Sequence, residues 1–135
     1  MRRVVYLGRH LMLRSKYLDK LGNGRFTTIR LGIIRPKYRE VFIHSGGMVV
    51  AKARIVNVLY KRISELTDED AVIDGFTSRE ALIDELKKIY GDISSNDWVT
   101  ILTLDVTKAI GRRMMDLSGL VQWILPGLPL GITCL

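Results

Sequence analysis

Cysteine occurs once in this chain, at Cys134, and histidine only at His10 and His44. A single cysteine excludes an internal disulfide framework and a cysteine-based zinc site, and it points to a reducing, cytoplasmic setting. The histidines are far apart in sequence and neither sits in a ligand-spaced motif, so no metal and no cofactor are expected. His10 reads as a strand-end residue and His44 as a turn residue. The opening "MRRVVYLGRH" lacks the apolar run of a secretion signal. No nucleophile elbow, P-loop or G-x-G-x-x-G pattern followed by a helix is present. Acid is nearly missing from the first 62 residues, where only Asp19 and Glu40 face 15 lysines and arginines.

That imbalance is the first positive signal. Residues 1–62 carry a net charge of +13, while residues 63–135, with 6 bases and 12 acids, carry −6. If the halves fold together they partly neutralise each other, yet the whole chain keeps +7. Such an excess points to a polyanion, most simply nucleic acid, because each neutralised phosphate releases counterions.

At 135 residues the chain suits one compact domain. "RSKYLDKLG" reads as a short helix capped by Ser15 and stopped by Gly22, with Tyr17, Leu18 and Leu21 on one side. "FTTIRL" alternates as a strand, Thr27, Ile29 and Leu31 facing one way and Thr28 and Arg30 the other. Pro36 is expected in a loop. "EVFIHSGGMVVAKARIVNVLY" reads as a hairpin turning at its glycines. Its second strand puts Val49, Ala51, Ala53, Ile55 and Leu59 on one face and Lys52 and Arg54 on the other. Two small inward alanines fit the close packing of a small barrel.

"ELTDEDAVIDGFTSREALIDELKKIYGD" is acidic and helical, with Thr67 at one start and Thr77 and Glu80 at capping-box spacing for a second. Leu82, Ile83, Leu86 and Ile89 form its apolar stripe, and Gly91 ends it. "DWVTILTLDV" is the final strand. Residues 117–135, "LSGLVQWILPGLPLGITCL", hold no charge. Pro126, Gly127, Pro129 and Gly131 interrupt any membrane helix there, so the segment is expected to pack on the body or on a second copy of the chain.

The glycine-flanked stretch "GNGRFTTIRLG" brings Arg25, Thr28 and Arg30 close together in sequence. On the residues alone, a functional cluster and an ordinary strand entry with Arg30 paired to a helix carboxylate are equally open.

"YLDKLGNGRFTTIRLG", the hairpin, "ISELTDEDAVIDGFTSREALIDELKKIYG" and "DWVTILTLDV", in that order over roughly residues 10–106, resemble the activating signal cointegrator homology (ASCH) family. The resemblance implies an α+β fold of PUA-like type, a small mixed β-barrel with flanking helices and a cleft. It divides the chain into a domain at 1–106 and an apolar extension at 107–135. In the family loop pattern G-x-K-x-x-E-x-R, Asn23 stands at the glycine, Arg25 at the lysine, Thr28 at the glutamate and Arg30 at the arginine. Small bacterial members similar to this chain are acetylcytidine amidohydrolases with a Lys, a Thr and a Glu in the cleft. Carried over, these become Arg25, Thr28 and Asp74.

Arginine stays protonated, so Arg25 suits an oxyanion or a phosphate better than the role of base. The resemblance therefore implies an RNA- or nucleotide-binding domain in which Arg25, Thr28, Arg30 and Asp74 line the cleft. Arg14, Lys16, Lys20, Lys52 and Arg54 are the expected phosphate contacts around it. The alternative is a hydrolase on RNA or modified nucleosides, an amidohydrolase or a ribonuclease, working through Arg25, Thr28 and Asp74. A third reading makes the chain an interaction module that dimerises through its apolar tail. No membrane partner is expected.

Overall fold

A computed structural model describes residues 4–110, together with the backbone of Met114–Met115 and Val121–Gln122. In chain order the elements are β1 (Val4–Leu7), β2 (His10–Met12), a 3-10 helix (Ser15–Asn23), β3 (Arg25–Leu31), β4 (Ile33–Pro36), β5 (Glu40–Ser45) and β6 (Met48–Arg62). A 3-10 turn (Ile63–Glu65), α1 (Asp68–Ile73), α2 (Arg79–Tyr90), β7 (Trp98–Ala109), β8 (Met114–Met115) and β9 (Val121–Gln122) follow. The protein is α+β and mostly strand. Five strands form one sheet in the order β2-β5-β6-β7-β3, β1 pairs with β4, and β8 pairs with β9.

The sheets described do not close into a barrel. Closure would need the edge strands β2 and β3 to pair, and they are not neighbours; the chain beyond β3 goes instead to β1. The inward alanines are nevertheless where alternation put them, Ala51 at 1% and Ala53 at 0% exposure. Pro36 ends β4 instead of lying in a loop. β7 continues to Ala109, past the expected domain end at 106. Beyond residue 110, and apart from the β8–β9 backbone pair, the expected apolar extension lies outside the described residues.

Packing divides the chain into two compact units, and β3, β6 and β7 each run from one into the other. The first unit takes the chain up to Tyr6, Thr27–Arg35 and Asn57–Thr103. It holds both α-helices. Thr67 starts α1 through a reciprocal capping box: its hydroxyl accepts from the Asp70 N–H, and the Asp70 carboxylate accepts from the Thr67 N–H, each at 3.1 Å. Asp68, Glu69 and Asp70 place negative charge at the positive end of the helix dipole.

Ser78, not Thr77, caps α2, accepting from the Ala81 N–H at 3.2 Å. The shift has a cause outside the helix: the Asp68 carboxylate accepts from the Arg79 N–H at 2.8 Å and fixes where the helix begins. Gly91, at φ 81°, ends it. The helix stripe buries Leu82 and Leu86 against Leu31, Ile63, Leu66, Ala71, Val99 and Ile101. Each leucine contributes about 2 kcal/mol of burial.

Thr100, fully buried on β7, donates to the Gly32 carbonyl at 2.7 Å and accepts from the Ile34 N–H at 2.9 Å. Gly32 turns there at φ 96°.

The second unit takes Leu7–Phe26, Pro36–Val56 and the chain from Leu104 on. Its first helical segment is 3-10 in form and begins at Ser15, with Arg14 in the cap position and no side-chain cap. The segment runs on through Gly22 to Asn23, where Gly24, at φ 81°, closes it onto the Leu21 carbonyl.

β5 and β6 form the expected hairpin. Gly46 and Gly47, at φ 59° and 81°, are the two central residues between Ser45 and Met48, a turn that needs positive φ at both. β2 joins β5 in parallel. Leu11, Leu13, Val41, Ile43, Ala51 and Ala53 are buried on the inner side of these three strands.

Candidate nucleic-acid interface

The outer side of the same three strands is chemically different. The register sets His10 beside Phe42, Met12 beside His44, Phe42 beside Lys52 and Glu40 beside Arg54. Residues paired this way share a face, so one surface carries rings and cations together. The His10 and Phe42 rings stack with centroids 5.9 Å apart, and the His44 ring meets His10 edge-on at 4.6 Å. The Lys52 ammonium lies 5.9 Å from the Phe42 centroid and 3.2 Å from the Glu40 carboxylate. Both partners of that pair are well exposed to solvent, so the pair is worth little and its lysine can exchange the carboxylate for a phosphate.

His44 thus stands within β5, correcting the expectation of a turn position. A register irregularity between Ile43 and His44 lets the strand keep pairing up to the glycines.

The glycine loop lines a cavity of about 380 Å³. Leu21, Gly22, Asn23 and Gly24 form one wall, and Val106, Thr107, Lys108 and Ala109 of β7 the other. The Val106 N–H donates to the Gly24 carbonyl at 2.7 Å and pins the loop. Lys108 is exposed at its mouth.

Arg25, the first residue of β3, makes a bidentate pair with Asp105, its Nε and Nη2 donating at 2.6 and 2.9 Å. That pairing raises the Arg25 pKa and, joined by Arg54, holds the Asp105 carboxyl below its ordinary value. The Arg25 side chain remains 65% exposed. Lys16 and Lys20 flank the Tyr17 ring at 5.2 and 5.1 Å, and Arg14 is exposed just ahead of them. Arg14, Lys16, Lys20, Arg25, Lys52 and Arg54 therefore all belong to the second unit.

Thr28, Arg30 and Asp74 belong to the first unit. Asp74 caps the end of α1 and is 5% exposed. The hydroxyl that reaches it is Thr27's, donating at 2.6 Å. Thr28 is 4% exposed and its Oγ1 has no hydrogen-bond partner. Burial lowers the Arg30 pKa, with Tyr90 and Asp74 partly offsetting the effect. Chemically this is a buried polar cluster in which no base stands ready to take the Thr28 proton.

His10, Phe42, His44 and Lys108 escaped the reading of site residues from sequence. The signal for Phe42 was present. In "EVFIH" the apolar Val41 and Ile43 take one face, which leaves Phe42 out of phase among polar residues. The approach of His10 to His44 depends on the parallel β2–β5 pairing and has no local signature. Among the described residues no cluster of three His, Cys, Asp or Glu side chains could hold a metal, and no helix is long and apolar enough to cross a membrane.

No protein-family model matches the chain, and no curated protein matches it.

Proposed function

We propose that the protein is an RNA- or nucleotide-binding domain that takes a single strand across the outer face of its second unit. One observation carries the reading: a row of rings on the outer face, exposed His10 with half-buried Phe42 and His44, lies beside Lys52 and Arg54 in a unit rich in positive charge. Bases stack on rings and phosphates seek the cations, the combination that single-stranded nucleic acid needs. Lys108 and the loop cavity extend the cationic track. Under this reading Arg25 acts as a partly neutralised surface guanidinium, not as a catalytic group. The ASCH resemblance and its PUA-like architecture belong to the same proposal, in a form whose sheet stays open, and so does a cytoplasmic location.

The test is fluorescence anisotropy with labelled single-stranded RNA across a salt series. Affinity is expected to fall steeply with salt, and Lys52→Ala with Arg54→Ala to flatten the log–log slope by about 1.4. Binding that ignores salt, or no binding, overturns the proposal.

The hydrolase alternative keeps one observation in its favour, the buried Thr27–Asp74 pair beside Arg30. It requires turnover of an acetylated nucleoside or RNA by the purified protein that Asp74→Asn abolishes. Turnover unchanged in that variant removes the pair from catalysis.

A further inference from the structure

We infer that His10, His44 and Met12 form a binding site for one Cu(I) ion. The His10 Nδ1 and His44 Nε2 atoms lie 2.6 Å apart and share one hydrogen, so their lone-pair directions converge on a single point. Met12 is the register partner of His44 and follows His10 by two residues on the same strand, which puts its thioether on the same face as both rings. It is 59% exposed, with three rotatable bonds to bring the sulfur round.

The donor set decides the metal. Two imidazoles and a thioether leave a structural Zn(II) site one ligand short, and zinc takes its sulfur from thiolate and not thioether; Ca(II) and Mg(II) want oxygen. Glu40, a carboxylate on this face, is engaged by Lys52. Thioether sulfur selects Cu(I), and imidazole accepts it. With metal–imidazole bonds of about 2.0 Å, a trigonal centre needs the two nitrogens to separate by roughly an ångström, a swing open to the exposed His10 ring. The ring that donates the shared hydrogen takes its proton on its other nitrogen, the ion sits between the two freed lone pairs, and it clamps β2 to β5 outside the backbone ladder. The site stands on this geometry alone, whether or not the face takes RNA.

The experiment is an anaerobic titration of the full chain with Cu(I) against a chromophoric Cu(I) chelator. The Cys134→Ser background removes the competing thiol. One equivalent is expected to transfer to the protein, and X-ray absorption should show two nitrogen neighbours and one sulfur. His10→Gln and His44→Gln, both at solvent-facing positions that leave the fold intact by circular dichroism, should each abolish the transfer. Met12→Leu should weaken it about tenfold. Failure of the parent protein to compete, full uptake by the double His10→Gln, His44→Gln variant, or displacement by a tenfold excess of Zn(II) would each overturn the assignment.

Discussion

The two units of this protein differ in charge and in what they carry. Within the described residues the second unit holds ten lysines and arginines against three acids, a net of +7, whereas the first holds seven against ten, a net of −3. The first unit owns both α-helices and the core around Leu82 and Leu86. The second owns the solvent-facing rings and the glycine-lined cavity. Both units bury an apolar core, and if the second binds RNA as proposed, recognition falls to that unit while the helices stay with the first. The division follows packing and not chain order, since β3, β6 and β7 each serve both.

Breaking the comparison is simplest from the core. Leu86→Ala should cost about 3 kcal/mol in urea unfolding, transfer and cavity terms together, while the folded variant keeps its RNA affinity. Asp74→Ala should cost about 2 kcal/mol, because it removes the buried acceptor of the Thr27 hydroxyl. An equal loss of RNA affinity in either variant would show that the units do not divide the work. Phe42→Ala should do the reverse, weakening RNA binding by about 1–2 kcal/mol in anisotropy titrations and leaving the unfolding midpoint in place.

A subtler difference is expected in acid. Burial raises the Asp70 pKa, but hydrogen bonds from Lys61 and Thr67 outweigh it and leave the carboxyl below its ordinary value near 3.8. A carboxyl that titrates lower when folded lends stability that is complete above its unfolded value and fades as pH falls through the folded one. Asp70→Asn should therefore flatten the loss of stability below about pH 4, followed by urea unfolding. Smallest of all, Arg25→Ala should leave the unfolding midpoint unmoved, since its pair with Asp105 is solvent-screened.

How much of this was legible in the sequence depended on the range of the interaction. The Gly46–Gly47 hairpin, the α1 start at Thr67 and the inward alanines were all readable, because each is fixed by residues within a few positions. The second helix start slipped by one residue because Asp68, eleven positions earlier, decides it. The three-residue site of Arg25, Thr28 and Asp74 was carried over from the ASCH resemblance and not from local pattern. The structure instead gives Arg25 to Asp105, 80 residues away, and Asp74 to Thr27. Alternation told which face a strand residue takes, but the partner strand was set by distant pairing. The open sheet has the same origin, for nothing in "RLGIIRP" announces that the chain leaves its neighbours for β1.

Thr100 shows how that departure is tolerated. Its hydroxyl occupies the place of a missing strand at the corner, receiving one amide proton and supplying another to a carbonyl, so the bend at Gly32 orphans no peptide group. Valine has the same outline and β-propensity but would leave both groups unsolvated in the interior. In any collection of variants selected for solubility, position 100 should therefore drift less than Val99 and Ile101 on either side of it.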